Sequence, residues 1–222
     1  MGQLSYFRAR MAFEPAGAVA LAREIASAVA NLCGKTHRAV VTDWDNTLWG
    51  GVIGDDGLEG IVLGQGSDLG EAHLSVQAYA KALAARGVIL AVCSKNDEDN
   101  ALAAFDRHPE MLLRRSDIAC FVANWSDKAA NLRHIARTLN IGIDSLVFLD
   151  DNPFERNLVR QELPMVAVPE VSDDPVGYPI ALSDAGYFEG LSITDEDRER
   201  TSQYQGNKAR DQLKASATDL PA

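Results

Sequence analysis

The sequence predicts an α/β fold built on a doubly wound parallel sheet, and three short apolar runs are the main reason. The runs cover residues 39–42, 88–92 and 146–149. Near-continuous apolar runs of this length are typical of strands that are covered on both faces. Segments with helical apolar spacing lie between the runs, which gives the strand–helix alternation of right-handed crossovers. Each run ends on polar, reactive side chains, and the carboxyl ends of such strands meet at one edge of the sheet.

The elements are predicted in order along the chain. A helix over 16–32 ends at Gly34, a typical helix stop. After the first strand, the glycine-rich residues 48–68 predict a flap, a short hairpin that interleaves residues 52–53 with residues 61–63. The remaining predicted elements are helices over 71–85, 97–105 and 128–139 and strands over 118–122 and 165–168.

Two helix starts carry recognisable capping residues. Ser126 is predicted to cap the helix that runs through Lys128. The run Asn152-Pro153-x-Glu155 offers a cap, a proline at the first helical position and a glutamate at the third. Residues 194–214 are charged and sparsely apolar, so we predict either a peripheral helix or a segment that packs on something outside this chain.

Composition narrows the possible functions. The chain has 222 residues with 46% hydrophobic content, which is enough for one good core. The 21 basic and 32 acidic side chains give a net charge of −11, which argues against a nucleic-acid surface and against adhesion to anionic membranes. Three cysteines without framework spacing are typical of a reduced, cytoplasmic protein. We predict an N-terminal helical extension (1–36), a catalytic core (37–190) and a C-terminal helical or peripheral segment (191–222).

The first strand end carries two carboxylates, Asp43 and Asp45. An aspartate nucleophile that forms an aspartyl-phosphate divides one hard phosphoryl transfer into two easier steps. A second carboxylate can protonate the leaving oxygen and later activate water. Taken alone, the motif is short, and an acidic loop would produce it equally well.

A second pair of carboxylates, Asp150 and Asp151, follows the run at 146–149. Carboxylates crowded near a phosphate repel it unless a hard cation lies between them, and Mg²⁺ takes oxygen ligands of this kind. The sequence therefore predicts a Mg²⁺ site. The alternative is a solvated aspartate pair that only caps the following helix.

The second strand end and a later helix supply further candidates. Ser94 can donate to a phosphate oxygen, and Lys128 in a first helical turn can screen the charge shared by phosphate and nucleophile. An ordinary surface lysine is the alternative for Lys128. Cys93 precedes Ser94, and strand alternation turns their side chains to opposite faces. Cys93 is therefore either a buried, inert thiol or a nucleophile at a local break in the strand. The four histidines have no metal-ligand spacing, and we interpret them as surface or packing residues.

Asp43-x-Asp45-x-Thr47, Ser94, Lys128 and Asp150-Asp151, in that order, resemble the four motifs of the haloacid dehalogenase (HAD) superfamily. The longer runs DWDNTLWGGVIGDDGLEGI, VCSKND and VFLDDNPFERNLVR are similar to a narrower group, the FkbH-like glyceryl transferase/phosphatases of polyketide biosynthesis. The resemblance covers roughly residues 8–213. It implies a HAD-like Rossmannoid core that is capless, with the small flap after the first strand.

The resemblance also implies roles for these residues. Asp43 would be the nucleophile and a metal ligand, and Asp45 would be the general acid/base and a ligand through its carbonyl. Asp150 and Asp151 would bind Mg²⁺. The predicted substrate-binding residues are Thr47, Ser94, Lys95, Asn96 and Lys128. A thioester on Cys93 would carry the acyl group.

The activity that this family implies has two parts. Such an enzyme would dephosphorylate 1,3-bisphosphoglycerate, a phosphorylated three-carbon substrate, and load a glyceryl unit onto an acyl carrier protein. Two other interpretations stay open. One is a HAD phosphatase that acts on a small metabolite or a phosphoprotein without acyl transfer, and the other is a non-catalytic docking domain. Trp44 departs from the family pattern, because a leucine is expected between the two aspartates.

Overall fold

A computed structural model describes residues 15–33, 36–189 and 206, and the core of the fold is one sheet. Its strands are all parallel and follow the order β3-β2-β1-β4. The strands are β1 (Ala39–Thr42), β2 (Ile89–Ser94), β3 (Ile118–Ala123) and β4 (Leu146–Leu149). The predicted segment at 191–222 lies outside the described residues, apart from Gly206.

Seven α-helices connect and flank these strands within the described residues. They are α1 (Pro15–Leu32), α2 (Ile53–Gly60), α3 (Asp68–Ala85), α4 (Glu98–Arg107), α5 (Lys128–Thr138), α6 (Pro153–Glu162) and α7 (Tyr178–Asp184). Among residues 15–33 and 36–189, no helix is both long enough and apolar enough to cross a bilayer. The predicted α/β parallel fold is confirmed.

The neighbouring strands β1 and β4 end at the same level, and this alignment positions the site. Thr42, the last residue of β1, is in register with Leu149, the last residue of β4. The backbone amide of Asp43 extends this pairing by donating to the carbonyl of Leu149 over 2.9 Å. The residues that directly follow β1 and β4 therefore leave the sheet side by side.

Alternate residues of each strand enter two apolar layers, one on each face of the sheet. Val40, Leu90 and Leu149 belong to a cluster that also contains side chains of α3, α4 and α7. Val41 and Ala91 belong to a second cluster, which α5 and α6 cover. Burial on both faces explains why the strands read as apolar runs rather than as alternating patterns.

The flap differs from the predicted hairpin. Gly50 and Val62 form one antiparallel bridge, with mutual backbone hydrogen bonds of 2.9 and 2.8 Å, but α2 occupies the residues between them. The Asp45 carboxylate accepts from the amide of Ile53, and the Asp56 carboxylate accepts from the amide of Val52. These bonds satisfy two backbone donors at the start of the helix. Such side-chain contacts across a turn are not visible in an apolar pattern.

Two smaller predictions are also corrected. The strand expected over 165–168 is reduced to a single parallel bridge between Val147 and Ala167. The cap of α5 is Asp127 rather than Ser126, since the Asp127 carboxylate accepts from the amide of Ala130 over 2.7 Å. The predicted cap of α6 is confirmed, because Asn152 accepts from the amide of Phe154.

Trp44, the departure from the family pattern, fills the core. Its side chain is fully buried and stacks on Trp49, with 6.1 Å between ring centroids. Phe105 of α4 packs against both indoles. The larger side chain between the two aspartates is thus accommodated by an aromatic cluster under the flap.

Candidate active site

Three carboxylates converge at the carboxyl edge of the sheet. Asp43 follows β1, and Asp150 and Asp151 follow β4. One oxygen of each lies within 4.8 Å of the others. Asp150 is fully buried and Asp43 is 8% exposed, whereas Asp151 is half-buried. The register of the two neighbouring strands brings them together, as the sequence predicted.

Lys128 joins two of these carboxylates. It is the first residue of α5, it is 2% exposed, and its ammonium lies 2.8 Å from Asp43 Oδ2 and also donates to Asp150 Oδ2. Burying an ammonium is costly unless it is paired and hydrogen-bonded, and here it has two anionic partners. The alternative of an ordinary surface lysine is therefore wrong.

The charges of this cluster are not balanced. Burial raises the pKa of Asp150 to about 7, and the negative charge of Asp43 adds to the effect. Burial also raises the pKa of Asp151, with Asp43 again contributing. For Lys128, burial alone would lower the pKa, but the charges of Asp43 and Asp150 outweigh it and raise the pKa. The ammonium therefore stays charged, and the carboxylates keep an excess of negative charge.

The cluster fits a divalent cation by its donor atoms. Asp43 Oδ1 is buried and has no hydrogen-bond partner among the described residues. A buried carboxylate oxygen without a donor is costly, and a hard cation satisfies it. Asp43, Asp150 and Asp151 can hold such an ion, because each offers an oxygen of the type that Mg²⁺ prefers.

Thr47 connects the flap to this cluster. Its hydroxyl lies 3.3 Å from Asp151 Oδ1 and accepts the amide of Asp151 over 3.2 Å. The side chain of Thr47 is fully buried. This residue, predicted to bind substrate, orients Asp151 in the structure, and a substrate contact stays a prediction.

Asp45 lies apart from the three carboxylates and is held by three donors. Its Oδ1 accepts from Trp49 Nε1 and from the amide of Ile53, both over 3.0 Å, and its Oδ2 accepts from Asn96 Nδ2 over 2.8 Å. Burial raises the pKa of Asp45, and these donors oppose the shift. A fixed carboxyl with a raised pKa suits a group that donates and takes up a proton.

Asn96 and Lys95, both predicted to bind substrate, have partners within the protein. Besides its bond to Asp45, Asn96 accepts the amide of Asp97 over 2.7 Å. Lys95 is partly exposed and lies 2.5 Å from Glu155 of α6. The Asn96–Asp45 contact was not foreseen, since nothing in the sequence pairs two residues that lie 51 positions apart.

The two residues at the end of β2 differ in their surroundings. Ser94 is buried and ends the strand at the carboxyl edge. The side chain of Cys93 is fully buried in the apolar layer under α5 and α6. Burial raises the pKa of the Cys93 thiol to about 12, although the charge of Lys128 opposes the shift. In this structure the thiol is neutral and enclosed, which is the inert state that the sequence left open.

Sequence reasoning missed Arg156. This buried arginine on α6 donates to the backbone carbonyls of Asp150 and Asp151 over 2.9 and 2.6 Å, and also to Glu170. It fixes the turn that carries both carboxylates. An arginine on a helix is usually solvent-exposed, so its type alone did not single it out. The only signal in the sequence was its position in the run DDNPFER.

A cavity of about 280 Å³ opens beside Asp151. Flap residues such as Gly50 form one wall, His73 of α3 forms another, and Tyr178 of α7 forms a third. Of the two expected roles for His73, surface or packing, the structure shows packing: the side chain is buried against the flap, with Nδ1 lying 3.1 Å from the carbonyl of Thr47.

The chain is similar to a solved phosphatase-domain structure. That structure is the N-terminal part of the protein BF1531 from Bacteroides fragilis, which contains a phosphatase domain and was determined in complex with Mg. The two share 46% sequence identity and a TM-score of 0.82. The match covers 85% of this chain and 50% of the other, so this chain spans about half the length of the chain in that structure. No protein-family model and no curated protein matches the chain.

Proposed function

We propose that the chain is a Mg²⁺-dependent phosphatase of the HAD type, with Asp43 as its nucleophile. The observation that carries the proposal is the buried cluster in which Lys128 joins Asp43 and Asp150 while Asp43 Oδ1 remains without a donor. The ammonium of Lys128 orients the Asp43 carboxylate, and among the described residues no protein donor occupies its second oxygen. The similarity to a phosphatase domain determined with Mg supports both the chemistry and the metal.

The residues divide the reaction into two steps. In the first step an oxygen of the Asp43 carboxylate forms a bond to phosphorus, the ester P–O bond breaks, and Asp45 gives its proton to the leaving oxygen. In the second step Asp45 takes a proton from water, whose oxygen attacks phosphorus and releases Asp43 and inorganic phosphate. Lys128 stabilises the charge near the nucleophile throughout. A bound Mg²⁺, held by Asp43, Asp150 and Asp151, would offset the charge of the phosphoryl group.

Removing the nucleophile tests this proposal. Asp43→Asn keeps the size of the side chain but cannot form the aspartyl-phosphate, so we expect phosphate release from p-nitrophenyl phosphate to fall by more than about 10³-fold. EDTA should abolish release by the wild type, and added Mg²⁺ should restore it. Asp106→Asn, at an exposed aspartate paired with Arg115, is the matched control. Full activity of Asp43→Asn would refute Asp43 as the nucleophile, whereas a wild type that releases no phosphate with Mg²⁺ would leave the non-catalytic docking domain.

Glyceryl transfer is the more specific candidate, and the motif resemblance supports it. In that proposal the enzyme takes phosphate from 1,3-bisphosphoglycerate and passes a glyceryl unit through Cys93 to an acyl carrier protein, in a cytoplasmic polyketide pathway. The position of Cys93 next to Ser94 favours it, but the enclosed thiol requires β2 to open before the thiol can react. The geometry therefore favours the phosphatase, since the Asp43 side chain is 11% exposed at the edge of the sheet whereas Cys93 is fully buried.

Mass spectrometry separates the two candidates. The wild type, Cys93→Ala and Cys33→Ala would each be incubated with Mg²⁺ and a mixture that generates 1,3-bisphosphoglycerate, and their intact masses recorded. Transfer predicts a glyceryl or phosphoglyceryl adduct in the wild type and in Cys33→Ala, but not in Cys93→Ala. Phosphate release without an adduct on any cysteine would rule out the thioester route and keep the phosphatase.

A further inference from the structure

The cavity beside the metal cluster shares a residue with it. Asp151 contributes one oxygen to the three-carboxylate cluster and also lines the cavity. Thr47 links the two regions, because its hydroxyl contacts Asp151 and its carbonyl contacts His73. A phosphate held at the cluster would therefore lie beside this cavity.

The hydrogen bond to Thr47 fixes the role of His73. A backbone carbonyl only accepts, so Nδ1 must donate to it. Burial lowers the pKa of His73, which favours the neutral ring, and in that tautomer Nε2 is an acceptor. A Cβ built on Gly50 would lie 3.3 Å from Nε2, so Nε2 is at the cavity wall that Gly50 forms. The cavity thus presents a hydrogen-bond acceptor there.

Tyr178 and Asp173 extend this set of polar groups. The Tyr178 side chain is almost fully buried, and burial together with the charge of Asp151 raises its pKa to about 12, so its hydroxyl remains protonated. Asp173 is exposed at the cavity rim and adds a second acceptor. Neutral donors and acceptors of this kind match hydroxyl groups, which both donate and accept.

The charge of the cavity argues against a second anionic group. No lysine or arginine is among the described residues that line it, whereas Asp151 and Asp173 are both acidic. Arg156 is close enough to affect the pKa of Tyr178, but its two terminal nitrogens donate to backbone carbonyls and to Glu170. Among the described residues, a carboxylate or second phosphate here would therefore have no lysine or arginine of the cavity lining to pair with.

We propose that this cavity binds the leaving group of the substrate and selects an uncharged, hydroxylated one. The inference rests on the proposed phosphatase function and names the class of substrate: a phosphate monoester of a small polyol, without a second anionic group. His73 and Tyr178 are the specificity-determining residues. The volume of about 280 Å³ admits only a small molecule.

Three substrates test the selection directly. Glycerol 3-phosphate carries an uncharged hydroxylated leaving group, 3-phosphoglycerate adds a carboxylate, and methyl phosphate has no group to fill the cavity. We expect kcat/KM to be roughly tenfold or more higher for glycerol 3-phosphate than for either of the others, since one or two hydrogen bonds are gained or an unpaired charge is avoided. Equal values for all three, or a preference for 3-phosphoglycerate, would overturn the proposal.

Conservative variants test whether His73 and Tyr178 are the residues that select the leaving group. Tyr178→Phe keeps the buried ring, and His73→Asn keeps an amide that can donate to the Thr47 carbonyl while removing the Nε2 acceptor. Each should lower the ratio of kcat/KM for glycerol 3-phosphate to kcat/KM for methyl phosphate about fivefold to tenfold, chiefly through a higher KM for glycerol 3-phosphate. Tyr187→Phe, at a tyrosine that packs against His37 instead, is the matched control. Equal losses on both substrates would show a structural role and refute the assignment.

A binding measurement separates failure of the cavity from failure of the phosphatase. Titration calorimetry on the wild type and on Asp43→Asn, with Mg²⁺ present, would compare glycerol 3-phosphate with methyl phosphate. Tighter binding of glycerol 3-phosphate by roughly fivefold or more supports the cavity, even in a protein that releases no phosphate. Equal affinities would overturn the cavity proposal, while Mg²⁺-dependent turnover would still support the phosphatase.

Discussion

Lys128→Met removes the only cation that contacts the carboxylate cluster among the described residues, and its cost follows from the geometry. At a pH above the Asp150 pKa of about 7, where Asp150 is ionised, Asp43, Asp150 and Lys128 carry a net charge of −1 in the wild type and −2 without the ammonium. Asp43 Oδ2 and Asp150 Oδ2 both lose their ammonium donor, and neither is exposed enough for water to replace it fully. We expect the free energy of unfolding without metal to fall by about 3–5 kcal/mol, the range for breaking a buried ion pair.

Arg133→Met is the matched control on the same helix. Arg133 and Glu162 form a pair 3.7 Å apart in which both side chains are about half exposed. An exposed pair of this kind contributes about 0–1 kcal/mol, since water and salt screen it. Both variants remove one cation from α5. The difference between their losses of unfolding free energy therefore reports the effect of burying the ion pair.

Urea denaturation at fixed pH and without metal is the assay. The double variant Lys128→Met/Asp150→Asn restores a net charge of −1, so it should recover part of the loss caused by Lys128→Met. Mg²⁺ should stabilise Lys128→Met as well, because a ligand that binds only the folded state adds to its stability. A loss below about 1 kcal/mol for Lys128→Met, equal to that for Arg133→Met, would refute the argument from charge.

Three further outcomes follow from single contacts. In the native protein, a thiol reagent at pH 8 should label Cys33 quickly and spare Cys93, whose thiol is enclosed and has a pKa near 12, and fast labelling of Cys93 would contradict its burial. Asn96→Ala removes one donor from Asp45 and should lower kcat by roughly tenfold with little change in KM, as steady-state kinetics would show. Burial lowers the pKa of His73 in the folded state, so its contribution to stability is lost as pH falls through the unfolded value near 6.5. Unfolding titrations between about pH 7 and 5 should show a smaller decline for His73→Asn than for the wild type.

The strand-end residues were predictable because parallel strands impose one geometry on them. The apolar runs before Asp43 and Asp150 define the strands, and their register then places both carboxylates together. The buried environment of Lys128 was not predictable from its own neighbours, since a lysine in a first helical turn is usually exposed. Its role became visible only jointly with the carboxylates that it contacts.

The contacts that hold the site were less accessible to sequence reasoning. Asn96 reaches Asp45 across 51 residues, and Gln77 of α3 donates to the carbonyl of Leu48 in the flap over 2.8 Å. Such bonds depend on how the flap folds back over the sheet, and the hairpin expected there was wrong because α2 forms instead. Apolar periodicity indicates which face of a helix or strand is buried. It does not indicate which distant polar group forms a hydrogen bond with a buried donor or acceptor.

The balance of charge explains why metal and phosphate must bind together. Three carboxylates and the single ammonium of Lys128 give the cluster a net charge of −2, and a phosphate dianion beside it would meet strong repulsion in a poorly hydrated site. One divalent cation brings this charge to zero and leaves Lys128 to act on the phosphate oxygens. The same excess of acidic groups continues into the cavity, through Asp151 and Asp173. A single metal ion therefore removes the repulsion that one phosphoryl group would meet at the cluster, and no cationic side chain among the described residues that line the cavity does the same for a second anion.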